Sequence, residues 1–181
     1  MVDIYVKLAE DAVEKWVLEG QRRIEFSDYE SLPSELTERQ RGVFVSLKTT
    51  EGKLRGCIGT YHPVEENVAR EIVRNSVLAA SRDPRFPSLS PPDLKKITVS
   101  VDVLSEPECC KIDDLNPKQY GIVVEKGGKE GLLLPDLDGV DSIERQLEIA
   151  KRKAGITAEN SDIKVQRFTV ERHRGDRPVG K

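Results

Sequence analysis

The segment VFVSLKTTEGKLRGCIGT, residues 43–60, decides the fold class. Residues 43–48 are β-prone. The TTEGK of 49–53 reads as a turn, with Gly52 able to take positive φ, and residues 54–59 return as a second strand. A second hairpin follows the same plan: a strand over 122–125, a Gly127-Gly128 turn spanning 127–131, and a return strand over 132–134. Around the hairpins, Ala9, Ala12, Val13, Trp16 and Val17 mark one face of a helix over 5–19, with Gly20 as its stop. Val64, Val68, Ile72, Val73, Ser76, Ala79 and Ala80 mark a longer helix. Pro63 stands at its first turn and Asp83-Pro84 at its end. Ile97, Val99, Val101 and Val103 alternate with polar residues as a half-buried strand. Asp141 or Ser142 caps a helix that Gly155 closes, and residues 163–170 form a last strand. Two hairpins demand antiparallel pairing, so the class is α+β, an antiparallel sheet flanked by helices.

The chain has 181 residues, with 29 Lys plus Arg against 32 Asp plus Glu, a formal net charge of -3. That balance argues against a protein that coats nucleic acid. No apolar run approaches the roughly twenty residues of a membrane span, and charges interrupt the N-terminal segment, so no membrane role and a cytoplasmic location are expected. The three cysteines, Cys57, Cys109 and Cys110, form no disulfide framework. With two histidines and no CxxC or HExxH, neither a metal nor a cofactor is expected.

Chemistry concentrates in residues 54–60, LRGCIGT. Strand alternation puts Leu54 and Ile58 on the core face and Arg55 with Cys57 on the other. Gly56 and Gly59 would let a ligand or backbone approach. A guanidinium near a thiol favours the nucleophilic thiolate, and His62 just beyond offers a base. The helix N-terminus there offers positive potential to an anion. The competing reading is a buried, inert cysteine between packing glycines, with His62 as a turn residue. A second constellation is Asp83-Pro84-Arg85-Phe86. Arg85 oriented by Asp83 could hold a carboxylate or phosphate; alternatively the two tie a helix exit while Phe86 plugs the core. The Gly127-Gly128 pair is a hairpin turn, since no GxxxxGK[ST] is present.

At Leu54–Thr60 the chain resembles the AMMECR domain family. Asp83-Pro84-Arg85-Phe86 after an Ala-rich helix matches a second block, Gly131-Leu132-Leu133-Leu134-Pro135 a third, and Lys153-Ala154-Gly155 a fourth. The resemblance runs from the first helix to about Val170. It departs after the third block, where Asp136-Leu137-Asp138-Gly139 replaces the family's Gln and Trp-containing segment.

The resemblance implies an α+β domain with a larger antiparallel-sheet lobe, a smaller lobe and a cleft between them. Residues 1–171 would form that domain, with 172–181 a flexible basic tail. It also implies association of microbial members with Memo-like and radical-SAM proteins, and of animal members with protein–protein interaction. Two functional expectations follow. One is a thiol-dependent enzyme, or a component of a modification pathway, with Cys57 as nucleophile, His62 as base, and Arg55, Gly56, Gly59, Asp83 and Arg85 binding a small-molecule or protein partner. The other is a non-catalytic interaction module in which the same blocks are docking surface or structural core.

Overall fold

Asp3 starts the first helix. Its carboxylate accepts the N–H groups of Tyr5 and Val6 at 2.9 and 3.4 Å, and α1 (Ile4–Glu19) runs to Gly20, which closes it at φ 71°. This is a computed structural model describing residues 3–29, 31–157, 159 and 162–180. The chain divides into two compact units, Met1–Val103 with Arg172–Lys181, and Leu104–Glu171.

In the first unit a short helical turn, α2 (Ser34–Thr37), precedes the hairpin of β1 (Val43–Thr49) and β2 (Leu54–Thr60). After α3 (Val68–Ser81) comes β3 (Ile97–Leu104), which pairs antiparallel with β1. Val43, Val45 and Leu47 of β1 are fully buried, in one core with Leu8, Val13, Ile72, Val99 and Val101. Each such side chain contributes about 1.5–3 kcal/mol on burial.

Two local expectations fail here for identifiable reasons. The β1–β2 register shifts at Leu47/Lys48: Leu47 faces Gly56 but Lys48 faces Leu54, so Arg55 is the extra residue of a β-bulge. The bulge turns Leu54 off the core face, and it is 38% exposed, while Ile58 keeps its place against the core. The long helix begins at Val68, not at Pro63. Asn67 caps it by accepting the Arg70 N–H at 2.9 Å, and residues 61–66 form a loop. Buried Glu71 holds that loop, accepting from the N–H groups of Val64 and Glu65 at 2.8 and 2.7 Å and from the Thr60 hydroxyl.

The second unit carries β4 (Glu108–Cys109), β5 (Gly121–Lys126), β6 (Lys129–Leu133), α4 (Ile143–Ala154) and β7 (Lys164–Phe168), in a sheet of order β4-β7-β5-β6. Gly127 and Gly128, at φ 58° and 78°, make the two-residue turn between β5 and β6. Ile122, Val124, Leu133, Leu147, Ala150 and Val165 form its core. Ser142 caps α4 and Gly155 closes it at φ 64°.

The chain then returns to the first unit as β8 (Val170–Arg174), completing a sheet of order β2-β1-β3-β8. Residues 172–180 differ from the expected tail. Arg172 forks onto Asp102 at 2.7 and 3.1 Å, and the ring of His173 lies 2.7 Å from the Asp3 carboxylate and stacks on Tyr5. The N–H groups of Gly175 and Val179 donate to the carbonyls of Val99 and Ile97, and Val179 is 1% exposed. Basic composition suggests solvation, but Arg172, His173, Gly175 and Val179 each have a partner in the folded chain.

Candidate functional site

β2 is an edge strand, and at Cys57 its backbone faces away from β1 toward the loop after α3. The Cys57 N–H donates to Asp83 Oδ2 at 2.8 Å, and Arg85 Nη2 donates to the Cys57 carbonyl at 3.4 Å. The Asp83–Arg85 pair thus takes the place of a neighbouring strand. Asp83 Oδ1 accepts from Arg85 Nε at 2.9 Å and from the Arg85 N–H at 3.1 Å, and its Oδ2 accepts from Nη2 at 2.7 Å. The Asp83 side chain is 1% exposed, the Arg85 side chain 55%. Hydrogen bonds from Arg85, helped by the Cys57 and Arg85 N–H groups, outweigh burial and hold the Asp83 carboxyl far below the usual carboxylate range. The same pair keeps Arg85 charged, with a smaller contribution from the Cys57 thiol.

The thiol itself is half-buried. Register puts Ser46 opposite Cys57, and the Ser46 hydroxyl donates to Sγ at 3.2 Å. Arg85, rather than Arg55, is the arginine that meets Cys57, through its backbone carbonyl. The Arg55 side chain is committed elsewhere: Nη1 donates to the Pro87 carbonyl at 2.7 Å and Nη2 lies 3.6 Å from Asp93. The bulge at Arg55 breaks the strict alternation on which the expected Arg55–Cys57 pairing rested. Asp93 is held charged first by the Ser90 N–H and then by the Ser90 hydroxyl and Arg55.

The other expected members stand elsewhere on β2 and beyond it. His62 is exposed, with its ring 4.3 Å from that of Tyr61, beyond the end of β2. From Cys57 to Thr60 the strand rises about 10 Å, and His62 follows in the loop beyond it. The helix N-terminus has moved with it to Asn67. Beside Gly56 the Ala79 carbonyl oxygen lies 2.4 Å from where a Cβ would sit, and the Phe44 ring fills the space over Gly59. At both glycines packing fills the side on which a Cβ would stand. Phe86 is half-buried under Arg85, 5.4 Å from its guanidinium carbon, and Leu89 takes the core position instead.

Sequence reasoning missed Ser46 and Glu71. Glu71 organises the 61–66 loop. Among the described residues no group of three or more His, Cys, Asp or Glu side chains is placed to hold a metal ion, and no helix is long and apolar enough to cross a membrane. The assembled group is a thiol with one hydroxyl donor and one cation beside it. It can serve as a nucleophile or attachment point, and the solvent side of Arg85 can meet an anion.

The four motif blocks meet in pairs. Blocks one and two join at Cys57–Asp83 in the first unit. Blocks three and four join in the second, where Lys153 Nζ donates to the Leu132 carbonyl at 3.1 Å. A family model described as AMMECR1 matches residues 6–173. The chain belongs to the AMMECR1 family. A Thermotoga maritima protein is 50% identical over 171 residues, covering 94% of this chain and 97% of its own. A Clostridium acetobutylicum protein is 46% identical over 172 residues; the match covers 95% of this chain and 36% of that longer protein. The crystal structure of the uncharacterized protein PH0010 from Pyrococcus horikoshii has a TM-score of 0.86 at 30% identity, over 98% of this chain and 93% of that one. The AMMECR1 match takes in Ser46, Cys57, Asp83 and Arg85, and it extends into β8 as far as His173.

Proposed function

We propose that this AMMECR1-family chain works through Cys57, as a thiol-dependent enzyme or as a thiol-bearing component of a modification pathway. The observation that carries this reading is the meeting of the Ser46 hydroxyl with the half-buried Cys57 thiol and of the Arg85 guanidinium with the carbonyl of the same residue. Buried Asp83 fixes Arg85 in place. The exposed side of Arg85 is the binding element for a carboxylate or phosphate on the substrate. With Arg85 as the cation of this site, the fitting partner is an already activated electrophile that carries an anionic group. A cytoplasmic setting suits three unpaired cysteines. Partners of Memo-like or radical-SAM type belong to this reading through the family resemblance.

The test is alkylation of the native protein at neutral pH, with Cys109 and Cys110 changed to Ser. Cys57 is expected to react while the chain stays folded. Anionic iodoacetate should gain on neutral iodoacetamide because of Arg85, and Arg85→Gln should reduce that advantage several-fold. Modification only after unfolding would sink the proposal. It would leave the second reading, a non-catalytic interaction module. That reading draws on the use of Asp83, Arg85 and Arg55 to bind the 83–93 loop along β2.

A further inference from the structure

A second cationic feature lies apart from Cys57, on the outer side of α3. Arg22, Arg23, Arg70 and Arg74 line one pocket of about 150 Å³ with Glu65, and Val73, Val77 and Leu78 form its apolar wall. Arg70 and Arg74 lie one turn apart on α3, while Arg22 and Arg23 come from the segment just after α1.

The arginines are partly preset. Arg70 lies 4.2 Å over the Phe26 ring, donates to the Ile24 carbonyl at 3.2 Å and stands 3.5 Å from exposed Glu66. Arg74 donates to Asn75 Oδ1 at 3.1 Å and lies 3.7 Å from Glu65. Arg22 lies 5.5 Å over the Trp16 ring, and among the described residues neither Arg22 nor Arg23 has a carboxylate partner. Two carboxylates, lining Glu65 and exposed Glu66, stand against four guanidiniums, and the excess of two positive charges favours a dianion over a monoanion. Val73 and Val77 are almost fully buried, so the wall is a firm apolar surface beside the charges.

We propose that this pocket binds the phosphoryl end of a small organic phosphate monoester. A phosphate monoester carries close to two negative charges at neutral pH and three acceptor oxygens, which match several arginine forks. Its carbon substituent would lie on Val73, Val77 and Leu78. The volume is below the roughly 300–1,000 Å³ of sites that enclose a drug-sized ligand, so the phosphate end enters and the rest stays outside.

Trp16 is the chain's only tryptophan. Because Arg22 lies over its ring, Trp16 emission reports on the pocket directly. Titration with phenyl phosphate at low, constant ionic strength is expected to give a saturable change, checked by calorimetry. Inorganic phosphate lacks the apolar contact and benzoate lacks the second charge, so each should bind more weakly. Arg23→Gln and Arg74→Gln should each weaken phenyl phosphate by about tenfold, the value of one charge-assisted hydrogen bond. Arg23 is exposed, so its variant keeps the test valid if Arg74→Gln perturbs folding. Phenyl phosphate binding no better than benzoate, or unchanged by Arg23→Gln, would overturn the assignment.

Discussion

Asp83 makes four contacts with one carboxylate, three to Arg85 and one to the Cys57 N–H. Its removal weakens the anchor of a part-buried strand-edge N–H and frees Arg85 from its place beside Cys57. Arg85 is more than half exposed, so water replaces much of its share. The remaining loss is about 2–3 kcal/mol for Asp83→Asn at neutral pH. The folded carboxyl titrates far below the unfolded value of about 3.9. Its stabilisation is therefore complete above that value and declines as pH falls through and beneath it. Urea unfolding at pH 7 and pH 3 should show the gap between parent and Asp83→Asn narrowing at the lower pH; a constant gap would contradict this account. At this scale strand alternation pointed to Arg55 as the partner of Cys57, while Arg85 is the arginine that meets its carbonyl. Arg55 is two residues from Cys57 and Arg85 is 28 away, and strand alternation speaks only for the nearer one.

The hairpins, the glycine stops of α1 and α4, the Ser142 cap and the alternation of β3 were legible because each is a local pattern of a few residues. The register was not. Counted from the turn, where Lys48 faces Leu54, Ser46 falls opposite Gly56; the bulge at Arg55 moves it opposite Cys57 and creates the hydroxyl–thiol contact. A second device at this scale explains two of the motif blocks. In each unit a glycine on an edge strand lets a helix carbonyl press against the sheet. Gly56 of β2 lies under Ala79 of α3, and Gly131 of β6 lies under Ala150 of α4, with the oxygens 2.4 and 2.1 Å from the absent Cβ positions. The obstacle is helix backbone and cannot rotate aside. Gly56→Ala is accordingly expected to cost about 1–3 kcal/mol or more by overpacking. It should also lower the reactivity of Cys57 by shifting the strand. Thermal melting and alkylation of the same variant check both; an unshifted melting temperature would show that α3 yields.

At the scale of the whole molecule, the chain leaves the first unit after Val103 and returns to it at Arg172. The composition of 172–181 invited the reading of a tail because the partners of these residues are remote. Asp102 is 70 residues from Arg172, and Asp3 is 170 from His173. No window-based pattern can register such pairs. Although burial pushes the Asp3 carboxyl up, its contacts with His173 and with the Tyr5 and Val6 N–H groups bring it below its ordinary value. The last residues therefore help hold the cap of α1, the first element of the chain. Cutting the chain after Glu171 would remove the Arg172 fork from Asp102, whose side chain is 8% exposed, and would uncover the site of Val179. An uncompensated buried carboxylate alone costs about 3–5 kcal/mol, a large part of the 5–15 kcal/mol that holds a typical domain. The truncated protein should unfold at markedly lower urea, and Arg172→Met in the full chain should reproduce much of the loss. A truncation as stable as the full chain would restore the reading of a dispensable tail.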